Sequence, residues 1–122
     1  MIEIKNIDGI YFVGIGGIGM SALALYFVKG GYPIAGYDRS ESRITLSLIE
    51  NGCSVSYKDD INTVPDLFRN IPDKSKVIVV FTPAIPAENR ILSFFRNNGY
   101  LIYKRSEILG EISLNTDTLA VA

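Results

Sequence analysis

Residues 9–28 place the tightest constraint on how this chain folds. They read GIYFVGIGGIGMSALALYFV and carry no charged side chain. An uncharged run of this length is long enough for a membrane-spanning helix. Glycine is unfavourable inside a helix, however, and four glycines lie near the middle of the run, at positions 14, 16, 17 and 19. We therefore interpret the stretch as a strand, a glycine turn and a helix.

The residues on either side of the glycines support this interpretation. Residues 10–13 are β-branched or aromatic, which favours a short buried strand. Residues 20–28 are mostly good helix formers and are apolar on every side, which indicates a buried helix. A strand, a glycine turn and a helix in this order open a nucleotide-binding βαβ unit.

The rest of the chain alternates between strand and helix patterns. Further strands are predicted at residues 33–37, 54–57, 76–82 and 100–103, and helices at about 42–50, 64–71, 88–98 and 106–112. The run KVIVVFT at 76–82 is typical of a strand covered on both faces. The alternation predicts a Rossmann-like three-layer α/β/α domain with a mainly parallel sheet over residues 1–112. Residues 113–122 are expected to be a linker and the truncated start of a further domain.

The composition excludes several functional classes. The formal net charge is −1 without any basic block, so neither nucleic acid nor an anionic membrane is the expected partner, and a small molecule is favoured. The chain has no histidine, which removes histidine-based triads and the commonest metal ligand. Its single cysteine, Cys53, cannot form an internal disulfide, and the acidic N-terminal octet does not resemble a secretory signal. Both features predict a cytoplasmic protein.

The glycine turn carries the strongest functional signal. Gly14, Gly16 and Gly19 match the G-x-G-x-x-G fingerprint, whose glycines permit a tight turn, a close backbone approach to a diphosphate, and helix–strand packing. The free N–H groups and the positive dipole end of the following helix would then hold the anion, and Ser21 could add a hydroxyl donor. The alternative is a glycine-rich turn kept only for tight packing.

Two further segments are expected at the same edge of the sheet. Asp38 closes the second predicted strand, where such folds place a carboxylate for ribose hydroxyls, with Arg39 and Ser40 as its neighbours. The alternative for Asp38 is a helix cap or turn acid. The loop TPAIP at 82–86 follows the most apolar strand, and ligands of open α/β sheets bind at that end. A merely structural turn is an equal alternative for this loop.

Two charged pairs are weaker candidates. Lys104 and Arg105 follow a strand and could reach a phosphate, although such a pair is more often solvated. Asp59 and Asp60 could belong to a metal site or take part in acid–base catalysis. The sequence indicates no third ligand to accompany them, so a solvated turn is the preferred interpretation. The sequence therefore predicts no catalytic and no metal-binding residue.

Taken together, the motifs resemble the Mur ligase family. The resemblance begins with FVGIGGIGMS at residues 12–21 and continues through GYD at 36–38 and TPAIP at 82–86. It extends through RSEIL at 105–109 to LAVA at 119–122, and so covers nearly the whole chain. In that family the last strand leads directly into a glycine-rich ATP phosphate loop, and this sequence stops where such a loop would begin.

The resemblance implies the N-terminal domain of a three-domain, ATP-dependent amide ligase of peptidoglycan synthesis that joins L-alanine to UDP-N-acetylmuramate. The first domain would hold the UDP part of that substrate. ATP and Mg²⁺ would bind the central domain, which would begin in residues 113–122, and the C-terminal domain would help to bind L-alanine. The substrate carboxylate would become an acyl phosphate, which the amine of L-alanine attacks. This fragment would hold no cofactor and would be inactive alone.

The resemblance also implies the binding residues. The diphosphate is expected on the loop formed by Ile15, Gly16, Gly17, Ile18, Gly19, Met20 and Ser21. The uridine is expected between two segments, one comprising Asp38, Arg39 and Ser40 and the other Thr82, Pro83, Ala84 and Ile85. Arg105 is a weaker assignment.

Some departures and alternatives stay open. Many relatives have Gly-His after the third strand, where this chain has Lys58 and Asp59, and their fourth-strand loop often opens with serines, where this chain has Phe81 and Thr82. The glycine fingerprint and Asp38 would equally suit an NAD(P)-binding oxidoreductase domain, and a nucleotide-sensing regulatory domain is also compatible. The related ligase that recycles murein tripeptide shares the layout and ranks second within the family.

Overall fold

A five-stranded parallel sheet forms the middle layer of the protein. The computed structural model describes residues 6–108. Its strands are β1 Gly9–Val13, β2 Ile34–Tyr37, β3 Ser54–Ser56, β4 Val77–Phe81 and β5 Leu101–Lys104. They lie in the order β3-β2-β1-β4-β5, and every neighbouring pair is parallel. The predicted α/β class with a mainly parallel sheet is thereby confirmed.

Helices connect the strands and cover both faces of the sheet. They are α1 Ile18–Lys29, α2 Arg43–Glu50, α3 Asp66–Arg69 and α4 Arg90–Asn97, with short 3-10 helices at Ile61–Thr63 and Lys74–Lys76. Residues 105–108 are helical and follow β5 directly. The remainder of that predicted helix, the predicted linker and the last predicted strand lie outside the described residues.

Two hydrophobic clusters, one on each face of the sheet, hold these layers together. Phe12 and Ile78 belong to the cluster under α1 and α2, whereas Tyr11 and Val79 belong to the cluster under α3 and α4. Consecutive residues of β1 and β4 therefore point to opposite faces of the sheet. Because helices cover both faces, the sequences of these two strands are continuously apolar. No helix within residues 6–108 is long and apolar enough to cross a membrane, because the uncharged run is divided between β1 and α1.

Two helices are shorter than their sequence patterns predict. The segment predicted as helical at 64–71 is helical only over α3, because Pro65 lies before it in an extended conformation and Val64 ends the preceding 3-10 helix. Helix α4 begins at Arg90 instead of residue 88. The Asn89 side chain accepts a hydrogen bond from the Leu92 N–H at 2.9 Å and caps the helix there.

The chain reverses its direction across the sheet next to β1. From β1 it proceeds outward through β2 and β3, and it then returns to β4 and β5 on the other side of β1. At such a reversal the loops after neighbouring strands diverge and leave a crevice at the carboxyl ends of the strands. The predicted binding segments after β1, β2, β4 and β5 all lie at this edge.

Candidate functional site

The glycine turn after β1 is shaped by backbone hydrogen bonds to the end of β2. The Gly14 and Ile15 N–H groups both donate to the Tyr37 carbonyl, at 2.7 and 3.0 Å. Gly14 has a φ of 95°, a left-handed conformation that side chains disfavour, and a Cβ there would collide with the Thr82 methyl group. The turn therefore requires glycine at this position and lies directly against the loop after β4.

The side chains of the predicted diphosphate loop mostly stabilise the loop itself. Ile15 is fully buried against Gly36, where an added Cβ would lie 2.8 Å from the Ile15 Cδ1. Met20 is buried in the same hydrophobic cluster. The Ser21 hydroxyl, expected as a donor to a ligand, donates to the Ile18 carbonyl at 3.0 Å. Ile18, by contrast, is exposed, so this segment presents its backbone and the Ile18 side chain to a ligand.

The first turn of α1 presents three backbone N–H groups that have no helical acceptor. Gly17 is the N-cap, and the Ser21 N–H donates to its carbonyl at 2.8 Å. The N–H groups of Ile18, Gly19 and Met20 precede this first helical hydrogen bond. No side chain of the described residues caps them, and the first turn contains no acidic residue. Free N–H groups at the positive end of a helix dipole are of the kind that attract anions.

The guanidinium of Arg105 lies against this helix terminus. A Cβ added to Gly19 would be 2.8 Å from the Arg105 Nε and 2.9 Å from its Cζ, so the arginine side chain packs on Gly19. Arg105 follows β5, is exposed, and forms no ion pair with a carboxylate of the described residues. The fold thus brings a cation that has no ion-pair partner within residues 6–108 from the far end of the sequence to the N–H groups of α1.

The Asp38 carboxylate joins the glycine turn to the end of β2. Its Oδ2 accepts a hydrogen bond from the Gly16 N–H at 2.8 Å, and its Oδ1 accepts a longer one from the Ser40 N–H at 3.3 Å. Asp38 is half-buried, whereas Arg39 and Ser40 are exposed. Asp38 therefore lies at the predicted edge of the sheet and also acts as a turn acid.

The loop after β4 lies beside Gly14. The Thr82 N–H donates to the Val13 carbonyl at 3.3 Å, and the Ile85 N–H donates to the Thr82 carbonyl at 3.1 Å, which closes a tight turn. The Ile85 Cγ1 is 3.5 Å from the position of a Gly14 Cβ. Thr82 and Ile85 are thus brought to the glycine turn, and the intervening Pro83 and Ala84 are exposed.

Thr45 of α2 is a neighbour of the site that the motifs above do not include. It is fully buried, and its Cγ2 is 3.0 Å from the position of a Gly16 Cβ. Its Oγ1 accepts hydrogen bonds from the Ser42 N–H at 2.9 Å and from the Tyr57 hydroxyl at 2.8 Å. Ser42 and Thr45 form a reciprocal capping box at the start of α2. Two hydroxyl residues at this spacing are the sequence signal from which the capping role of Thr45 could have been predicted.

Asp59 and Asp60 act as helix caps. The Asp59 carboxylate accepts hydrogen bonds from the Arg90 and Ile91 N–H groups, at 2.9 and 3.0 Å, where α4 begins. Asp60 is exposed and accepts a hydrogen bond from the Asn62 N–H at 2.9 Å. Residues 6–108 contain no group of three or more side chains placed to hold a metal ion. The solvated-turn interpretation is therefore wrong for Asp59, which links the segment after β3 to α4.

Burial makes the neighbouring hydroxyl and thiol groups poor acids. The Tyr11 hydroxyl has no hydrogen-bond partner among the described residues, and burial together with the nearby Asp59 charge raises its pKa far above the usual value. Burial likewise raises the pKa of Tyr37, and it raises the pKa of Cys53 to about 11. All three groups therefore stay protonated at neutral pH and supply neither a nucleophile nor a base.

The sequence matches the Mur ligase family, catalytic domain, over residues 9–116. It is 49% identical over 113 residues to the UDP-N-acetylmuramate–L-alanine ligase of Porphyromonas gingivalis, which aligns 93% of this chain with 24% of that protein. The ligase of the same name from Cytophaga hutchinsonii is 43% identical over 121 residues, which cover 99% of this chain and 25% of that protein. The chain thus spans about a quarter of the length of these relatives.

Solved structures share the fold. The UDP-N-acetylmuramate–alanine ligase of Thermotoga maritima superposes with a TM-score of 0.74 at 26% identity, over 88% of this chain and 23% of that chain. A murein peptide ligase from Psychrobacter arcticus superposes with a TM-score of 0.69 at 21% identity, over 84% of this chain and 20% of that chain, which is a likeness of fold alone. Because the family match covers most of the sequence and agrees with the fold, this chain belongs to the Mur ligase family.

Proposed function

We propose that residues 1–112 are the N-terminal substrate-binding domain of an ATP-dependent UDP-N-acetylmuramate–L-alanine ligase, and that they bind the UDP part of UDP-N-acetylmuramate. The names of the relatives support this substrate. The observation that carries the proposal is the first turn of α1. Its three N–H groups and the adjoining Arg105 guanidinium make a surface of the kind that binds phosphates.

The diphosphate binds at this surface. Ile18, Gly19 and Met20 donate their backbone N–H groups to its oxygens, while Ile15, Gly16, Gly17 and Ser21 shape the loop. Arg105 adds the charge, and its planar guanidinium can donate two parallel hydrogen bonds to one phosphate. The contact between Arg105 and Gly19 supports a joint role for the guanidinium and the helix terminus.

The uridine extends from the diphosphate between the ends of β2 and β4. Both segments assigned to it adjoin the glycine turn, since Asp38 is bonded to Gly16 and Thr82 lies against Gly14. A nucleobase has flat apolar faces and a polar edge, so it suits a crevice with an apolar wall and a few polar groups. The half-buried Ile85 offers such a wall, and the residues around it are Thr82, Pro83 and Ala84. The polar groups come from Asp38, Arg39 and Ser40.

The bond-forming chemistry belongs, in this proposal, to other parts of the ligase. ATP and Mg²⁺ bind a central domain that begins in residues 113–122, and L-alanine binds with help from a C-terminal domain. The substrate carboxylate takes the γ-phosphoryl group of ATP with release of ADP, and the amine of L-alanine then displaces phosphate from the acyl carbon. This chain alone binds substrate without turnover. Its cytoplasmic location stays a prediction.

Calorimetric titration of the 122-residue chain with UDP-N-acetylmuramate, UDP and NAD tests the proposal. We expect both UDP compounds to bind more tightly than NAD, because the first turn of α1 accepts any diphosphate whereas the crevice between β2 and β4 selects the nucleoside. Binding of NAD without a response to UDP compounds would contradict the proposal and favour an oxidoreductase domain.

Arg105→Ala is expected to weaken UDP binding by about 10- to 100-fold, because one hydrogen bond to a charged group contributes about 1.5–3 kcal/mol. Arg105→Lys should give an intermediate loss, since lysine keeps the charge but not the paired donors. Lys104→Ala is the matched control, because it removes the same charge from the adjacent exposed residue. Equal losses in the two alanine variants, measured by calorimetry, would mean that net charge and not a contact with Arg105 attracts the ligand.

A further inference from the structure

We propose that Asp38 is a positioning residue: its carboxylate holds the Gly16 N–H and thereby sets the glycine turn so that the first turn of α1 faces a diphosphate. This inference rests on the proposed function of the site. It gives Asp38 a role exerted through the backbone of the loop, distinct from the ribose contact that a carboxylate at the end of β2 would suggest.

Each N–H group of the glycine turn has an acceptor within the protein. The Gly14 and Ile15 N–H groups donate to the Tyr37 carbonyl, and the Gly17 N–H donates to the Gly14 carbonyl at 3.3 Å. The Gly16 N–H donates to the Asp38 Oδ2 at 2.8 Å. Of these four hydrogen bonds, only the last has a side-chain acceptor. It is therefore the one hydrogen bond of these four that a side-chain substitution can remove.

Packing around Gly16 makes the position of the turn depend on the hydrogen bond from Gly16 to Asp38. A Cβ at Gly16 would lie 2.7 Å from the Asp38 Oδ2 and 3.0 Å from the Thr45 Cγ2, so the residue is held between a carboxylate and a methyl group. Gly17, the next residue, is the N-cap of α1. Any shift of Gly16 is therefore passed directly to the three N–H groups of the first turn.

The negative charge of Asp38 opposes anion binding, whereas its hydrogen bond to Gly16 favours it. The two effects can therefore be separated by substitution. A carboxylate close to a diphosphate repels it, whereas a charged acceptor makes a stronger hydrogen bond to Gly16 than a neutral one. Asp38→Asn removes the charge and keeps an oxygen acceptor. Asp38→Ala removes both. The two neutral variants therefore differ in the hydrogen bond from the Gly16 N–H and in the longer one from the exposed Ser40 N–H at 3.3 Å, and exchange of the Gly16 N–H reports the first of these alone.

The test compares these two variants with UDP and with inorganic pyrophosphate, which has no ribose, in NMR titrations of the 122-residue chain. We expect Asp38→Ala to bind both ligands about five- to tenfold more weakly than Asp38→Asn, the range expected for losing one hydrogen bond. The loss for pyrophosphate reports the glycine turn alone, and any contact between Asp38 and the uridine adds to the loss for UDP. A difference confined to UDP would overturn the inference in favour of a ribose contact, and equal affinities of the two variants for both ligands would also overturn it.

Hydrogen exchange of the Gly16 N–H gives a second readout that needs no ligand. Slow exchange in the wild-type chain and in Asp38→Asn, together with fast exchange in Asp38→Ala, would support the hydrogen bond from Gly16 to Asp38. Equal exchange rates in all three proteins would overturn it. If the wild-type chain binds neither UDP nor pyrophosphate, the proposed function fails, and the exchange rates still decide whether Asp38 sets the turn.

Discussion

Gly14→Ala is expected to lower the free energy of unfolding by about 3 kcal/mol and to abolish detectable UDP binding. Placing a side chain in the left-handed conformation costs about 1–2 kcal/mol, and overpacking against the Thr82 methyl group adds about 1–3 kcal/mol. Any movement of the turn that relieves this strain displaces the N–H groups at the start of α1. Chemical denaturation measures the loss of stability, and titration with UDP measures the loss of binding.

Two variants separate the backbone cost from the steric cost. Gly31 has a φ of 91° and no atom within 4 Å of an added Cβ, so Gly31→Ala should lose only the backbone part, about 1–2 kcal/mol. The double variant Gly14→Ala/Thr82→Ser lacks the colliding methyl group and should regain part of the stability. If Gly14→Ala proved as stable as Gly31→Ala, the close contact between the glycine turn and the loop after β4 would be wrong.

Gly16→Val is expected to weaken UDP binding by more than about 100-fold while the fold remains intact. The valine side chain would displace the Asp38 carboxylate and press on the Thr45 methyl group, which moves the turn away from α2. Loss of two amide contacts to a charged phosphate, each contributing about 1.5–3 kcal/mol, accounts for the size of the effect. Because Gly16 has no left-handed φ, the valine adds no such backbone strain, and overpacking should cost about 1–2 kcal/mol of stability.

Ala22→Val is the matched control for Gly16→Val. Ala22 is exposed on α1, and a valine there should cost only a few tenths of a kcal/mol, roughly its lower helix propensity, with unchanged UDP binding. Calorimetry and circular dichroism on both variants would complete the comparison. Undiminished UDP affinity in Gly16→Val would mean that the diphosphate lies elsewhere.

Features encoded by neighbouring residues could be predicted from the sequence. The β-branched and aromatic residues 10–13, the glycines and the helix formers after them each favour the conformation that the structure has, so local preference and fold agree. The apolar runs of β1 and β4 likewise indicate strands covered on both faces. Helix limits were less predictable, because one side-chain cap at Asn89 and the position of Pro65 set them.

Features that depend on distant residues could not be predicted in the same way. The contact between Arg105 and Gly19 arises because the chain returns through β4 and β5 to the edge where α1 begins. Asp59 caps α4, whose first residue lies thirty-one positions further on. The hydrogen bond from Gly16 to Asp38 depends on the separation between the glycine turn and the end of β2. No local pattern encodes these distances, which packing of the whole sheet determines.

A crystal structure of this chain with bound UDP would test most directly whether the first turn of α1 binds the diphosphate. We expect diphosphate oxygens at about 2.7–3.2 Å from the backbone nitrogens of Ile18, Gly19 or Met20 and from the Arg105 guanidinium, with the Asp38 carboxylate still bonded to the Gly16 N–H. The groove between α1 and α2 has a volume of about 310 Å³ and is lined by Ser21, Leu25, Arg43, Ile44, Ser47 and Leu48. A diphosphate bound in this groove, without contact to the backbone nitrogens of Ile18, Gly19 and Met20, would contradict this assignment.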